Sequence, residues 1–139
     1  MQAVKMIAIT LALAGLGIAH PADAAPKSPA ATVIVRKPLL TAAFPVPKTV
    51  GRVEIKEIRF LPWQKSGLHR HPCPVVGYIA QGTIRFQVFG QPIQILQAGQ
   101  AFYEPANTKI VHFDALGKPA KFIAYYLLGP TDHKLIEML

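Results

Sequence analysis

Cysteine is nearly missing from this chain: Cys73 stands alone, so no disulfide can close within one molecule. Acidic residues are also scarce, seven against fifteen Lys and Arg, and none are set out as a catalytic carboxylate pair. No glycine-rich phosphate loop is present, and Ser66 lacks the flanking pattern of a nucleophile elbow, which removes nucleotide-dependent and serine-hydrolase chemistry. The basic residues never run longer than Arg36-Lys37 and are not interleaved with aromatics, so nucleic-acid binding is excluded. The net charge of +8 is therefore that of a solvated basic surface, one that favours anionic small molecules.

What is there begins with a leader. Lys5 precedes an uncharged apolar stretch from Met6 to Ala19, and the small-x-small pair Ala22-Asp23-Ala24 follows. That order predicts a secretory signal peptide over residues 1–24, cleaved after Ala24. The apolar stretch is shorter than the roughly 20 residues of a spanning helix, so no stable membrane span is expected after processing. Cleavage removes Lys5 and Asp23 together and leaves the charge at +8. The expected destination is the periplasm or the exterior, and the remaining chain of about 115 residues is one domain.

Residues 25–50 are rich in Pro, Ala and Lys and read as an extended N-terminal arm in which only "ATVIVR", residues 31–36, has strand character. From residue 51 to 130 the texture changes to short apolar and aromatic runs, each closed by Gly, Pro or Asn, and residues 131–139 form a tail. In "RVEIKEIRFLP" the apolar positions Val53 and Ile55 give way to Ile58 and Phe60, a phase slip at Glu57 that reads as a bulge or bend. "VVGYIAQG", "TIRFQVFG", "QPIQILQAG", "QAFYEP", "KIVHFDA" and "AKFIAYYLLG" complete an all-β pattern, a sandwich or barrel. Tyr78, Phe86, Phe102, Tyr125 and Tyr126 lie in these strands as core or pocket lining.

The chain has five histidines, and two of them, His69 and His71, flank a single residue in "GLHRHPCPVVGYIAQG". In an extended segment their side chains share a face, and two imidazoles on one face can chelate a divalent cation at about 2.0–2.1 Å. His112 lies far along the chain in "PANTKIVHFDA", sharing its face with Ile110 and Asp114. His20 leaves with the leader, and His133 has no partner at ligand spacing.

These residues resemble the cupin superfamily, small double-stranded β-helix or jelly-roll barrels. Its first motif, G-x5-H-x-H-x3,4-E-x6-G, is matched by Gly67, His69, His71 and Gly82. Its second, G-x5-P-x-G-x2-H-x3-N, is matched at its opening by Gly99 and Pro105, with Asn107 where the family often has Gly. The resemblance spans about Arg52 to Gly129. It implies a metal site of three histidines and a glutamate, but the glutamate position falls on Val75 or Val76, and position 116 has Leu in place of the motif's final Asn. The second-motif histidine falls at Ile110; because strand periodicity is two, His112 keeps the same face and is read as the third ligand. For the fourth position water ranks first, then Glu104, then Cys73. The metal set is thus His69, His71, His112 and Glu104.

Two function classes follow. One is an exported small metalloenzyme, oxygenase- or isomerase-type, using Fe, Mn, Zn, Cu or Ni on an anionic or carbonyl small molecule. The other is a non-catalytic module that binds a metal or small ligand. The arm is expected to cover a strand edge, its own or a partner's, in a homodimer.

Overall fold

The structure is a computed structural model and describes residues 33–139. The expected leader lies outside the described residues, as do Ala31 and Thr32. Val33–Arg36 carries no strand: β-branched composition alone does not make one. Arg36–Leu139 forms one compact unit.

Its strands are β1 (Arg52–Phe60), β2 (His69–Arg70), β3 (Val75–Gln81), β4 (Thr83–Val88), β5 (Gln94–Gln97), β6 (Ala101–Glu104), β7 (Ile110–Ala115), β8 (Ala120–Leu128) and β9 (Glu137–Met138). They form a four-stranded sheet in the order β1-β8-β3-β6 and a five-stranded sheet in the order β5-β4-β7-β2-β9. Every pairing is antiparallel, and the two sheets enclose one core, which is the jelly-roll barrel expected from the sequence. Among the described residues no helix is present, hence none long and apolar enough to cross a membrane.

β8 shows why the sequence folds this way. Ala120, Phe122, Ala124, Tyr126 and Leu128 are buried, and the residues between them are half-buried, so one face fills the barrel while the other is partly covered from outside. Inside, Phe113 meets Phe86, Phe102 and Phe122 at ring separations of 4.6–5.7 Å. Gly82 turns β3 into β4 at φ 82°, a conformation that favours glycine.

One expectation about strand phase is corrected. β1 pairs with β8 in unbroken register from Arg52↔Leu128 to Phe60↔Ala120, so there is no bulge at Glu57. Val53 and Ile55 instead lie on the outer face, opposite Leu127 and Tyr125, while Ile58 and Phe60 face inward. The apolar side chains change face because the outer face is itself partly apolar. The arm's residues from Leu39 to Phe44 lie over a sheet face, while the stretch expected to cover an edge, residues 31–36, falls partly outside the described residues. Leu39, Leu40 and Phe44 line one groove with Val76, Tyr78 and Tyr125, and the Phe44 ring lies 5.8 Å from that of Tyr103. Lys48 then pairs with Asp132 at 2.8 Å. The residues of the 131–139 tail also join the barrel, since β9 pairs with β2 through His69↔Met138 and Arg70↔Glu137.

Candidate metal centre

β2 is two residues long, yet it carries the first candidate ligand and delivers the second. His69 pairs with Ile110 of β7 on one side and Met138 of β9 on the other, and His71 follows immediately. Both imidazoles are 3% exposed, with ring centroids 5.1 Å apart. The His69 Nδ1–H donates to the Gly67 carbonyl at 2.8 Å, and the His71 Nδ1–H donates to the Leu135 carbonyl. A carbonyl only accepts, so each bond fixes the proton on Nδ1 and leaves Nε2 to face the site, the tautomer a metal ligand needs.

Glu104, the last residue of β6, meets them. It is 3% exposed, and its Oε2 lies 3.0 Å from His71 Nε2. His69, His71 and Glu104 offer ligand atoms that all lie within 4.8 Å of one another. Two ligands about 2.1 Å from one ion and at right angles stand about 3 Å apart, so the separation suits a shared cation as well as a hydrogen bond. Burial lowers the affinity of His71 for a proton, but the Glu104 hydrogen bond and charge and the Leu135 carbonyl outweigh it, so its pKa lies above the ordinary histidine value. The Nε2 proton then occupies the place a cation would take.

The triad opens on a cavity of about 250 Å³. Tyr126 lines it with its ring 5.6 Å from that of His71; burial first, then the Glu104 charge, pushes the phenol up to about 12, so it stays a neutral donor at physiological pH. Turn geometry ties the second half of the site to the first. Asn107 adopts φ 58°, a left-handed conformation that Asn tolerates next after Gly, and its N–H donates to the His71 carbonyl at 2.7 Å.

The model of the cupin domain matches residues 56–126, just over half of the chain. The chain belongs to the cupin family. No curated protein matches it. Solved structures similar to this cupin include one of DMSP lyases (20% identity, TM-score 0.57, covering 63% of this chain and 44% of that one). Oxalate decarboxylase from Bacillus subtilis is similar at 20% identity and TM-score 0.56, over 63% of this chain and 24% of that one. A cupin-like protein from Thermotoga maritima is similar at 22% identity and TM-score 0.54, over 63% and 64%. The chain spans less than half the length of the lyase and the decarboxylase.

Within the cupin frame the positions singled out by sequence separate clearly. Val75 is fully buried and in register with both Glu104 and Tyr126. Glu104 therefore brings a carboxylate from the adjacent strand to the place where the first motif lacks one. His112 does not join. β7 is bulged against β4, with His112 opposite Gln87 but Ile110 already opposite Val88, so the step of two does not preserve the face. Ile110 is buried inside, and His112 points outward, its Nδ1–H donating to Asp114 Oδ2 at 2.9 Å; Asp114 also accepts from Arg85 Nη2 at 2.8 Å. Cys73 is buried apart from the triad with its thiol pKa raised, chiefly by burial and then by the charge of Asp132. Of the aromatics, Phe86, Phe102 and Tyr126 are interior, whereas Tyr78 and Tyr125 lie in the outer groove. Sequence reasoning missed the Gly67 and Leu135 carbonyls, because a backbone acceptor has no residue-type signature.

Proposed function

We propose that this cupin is an exported metal-binding protein, a small metalloenzyme of oxygenase or isomerase type acting on an anionic or carbonyl small molecule. The observation that carries the reading is the buried His69–His71–Glu104 triad facing a cavity. Two histidines and one carboxylate are the donor set of many non-haem iron sites, and nitrogen with oxygen ligands also suits Mn, Zn, Cu or Ni. When bound, a divalent cation there would supply Lewis acidity and, if redox-active, a centre for electron transfer. The chain's own part is to hold Nε2 of both histidines toward the site, to exclude bulk water with phenylalanine rings, and to offer the neutral Tyr126 hydroxyl. The similar structures named for DMSP lyase and oxalate decarboxylase activity support small carboxylate-bearing substrates for this barrel. Export to the periplasm or the exterior is supported by the leader pattern alone.

The second reading, a binding module without turnover, is favoured by the chemistry of the cavity lining. Among the described residues its only titratable side chains besides the triad are Tyr126 and Lys65. Elemental analysis with an oxygen-uptake screen separates the two. Near-stoichiometric metal that is lost in His69→Ala, His71→Ala and Glu104→Ala, with uptake on some substrate, is the expected result. Metal without turnover selects the binding module, and full metal retention in the His69→Ala/His71→Ala double variant sinks both.

A further inference from the structure

The cavity beside the triad is polar at its two ends and apolar between them. At the inner end stand His69, His71, Glu104 and Tyr126. At the outer end Gln64, Lys65 and Ser66, in the segment before β2, are exposed or half-exposed and form a rim. Two of these rim side chains are already engaged: Gln64 Oε1 accepts from the Leu61 N–H at 2.9 Å, and Ser66 Oγ donates to the Gly67 carbonyl at 3.0 Å. The rest of the lining is Ile58, Phe60, Phe102, Phe113, Phe122, Ala124 and Ile136, none of which can donate or accept a side-chain hydrogen bond.

This distribution restricts what fits. A sugar, or any molecule polar along its whole length, would press polar atoms against phenylalanine rings and leave them unpaired at a cost of about 1–3 kcal/mol per group. A molecule with a single polar head loses nothing there and gains by burying its body. Size sets the second limit. A dry apolar cavity of about 150 Å³ is enough to hold benzene in another protein, and this one is about 250 Å³, room for a ring and a short head group. Charge sets the third: one carboxylate beside a divalent cation leaves a unit of positive charge, which a monoanion neutralises.

We propose that the site takes a small monoanionic chelator, a carboxylate or 2-oxo acid, joined to an apolar ring-sized body that lies on the phenylalanine wall. The proposal deepens the metal-site reading and rests on it. The head faces the triad, with the Tyr126 hydroxyl as its neutral donor, and the ring meets the faces and edges of Phe60, Phe113 and Phe122, which already stand in edge-on and tilted contact with one another.

The test uses the full chain loaded with cobalt(II), whose visible spectrum reports ligands that enter its coordination sphere. Phenylpyruvate, pyruvate and oxalate are titrated separately by absorbance and calorimetry. Phenylpyruvate is expected to bind ten- to hundredfold more tightly than pyruvate or oxalate. Ile58→Asn, at a half-buried wall position, and Ala124→Leu, which narrows the cavity, are each expected to reduce that preference several-fold. Equal affinity for the three ligands, tighter binding of oxalate, or binding of none overturns the proposal while the metal site stands. Cobalt that fails to bind, or binds equally well in His69→Ala/His71→Ala, overturns the metal reading and this proposal with it.

Discussion

His71 and Glu104 compete with any cation for the same space, and that competition has a measurable sign. The folded-state pKa of His71 is raised above 6.5 by Glu104 and the Leu135 carbonyl, against the opposing effect of burial. In metal-stripped protein the buried pair therefore contributes stability that is fully present below the unfolded pKa, near 6.5, and is lost as pH rises through the folded pKa. A bound cation reverses the dependence, since the Nε2 proton must leave before the metal enters and affinity grows with pH. Melting temperature against pH is thus expected to fall above neutrality for stripped protein and to rise for loaded protein, and His71→Gln should flatten both curves. Parallel curves for stripped and loaded wild type would show that His71 is not where the metal binds. Of the triad, the histidine pair was legible because a spacing of two on a strand specifies a shared face. The nearness of Glu104 to Val75 was not legible, because it depends on the β3–β6 register, which no local pattern encodes.

At the scale of elements, the segment Leu135–Met138 is part of the site. Leu135 gives the carbonyl that orients His71, Ile136 lines the cavity, and β9 pairs with the ligand strand β2. The Arg70–Glu137 ion pair at 2.8 Å adds little, because both side chains are about a third or more exposed and such pairs contribute about 0–1 kcal/mol. Removing residues 134–139 is expected to lower metal affinity ten- to hundredfold, the usual effect of losing a partner behind a metal ligand. The β-sheet circular dichroism should persist, because the phenylalanine core lies on other strands. Arg70→Ala should change affinity less than threefold. Unchanged metal affinity after truncation would show that His71 needs no orientation from this segment. Strand positions themselves were readable from apolar runs closed by Gly and Pro. What failed was phase: the slip inferred at Glu57 is absent, and the bulge that turns His112 outward was not foreseen, because apolar residues on an outer face and an extra residue in a strand both mimic the opposite pattern.

On the scale of the whole molecule, the outer face of the four-stranded sheet is incompletely covered. The arm is held by the Phe44–Tyr103 ring contact and the Lys48–Asp132 pair, and it partly covers Val76 while Tyr78 stays exposed. Beyond it, on edge strand β1, Val53 and Ile55 stay 49% and 60% exposed. That edge is poorly suited to strand addition. Glu54 pairs with Arg52 at 3.3 Å and with Lys56 at 3.2 Å, and Glu57 with Arg59 at 2.6 Å, so a second β1 would have to approach five charged side chains. Face-to-face packing of two copies, burying Val53 and Ile55 of each, avoids Arg52, Glu54 and Lys56, which alternate to the other face of β1, and removes apolar surface from water at about 25 cal/mol per Å². We therefore predict that the homodimer expected from the sequence uses this face and not the edge. Light scattering at micromolar concentration should give twice the monomer mass. Val53→Lys/Ile55→Lys should return it to the monomer with metal content unchanged, because neither side chain faces the cavity, whereas Glu54→Ala should leave the dimer intact. A wild-type monomer, or a dimer that survives the double lysine variant, would show that Val53 and Ile55 are simply solvated.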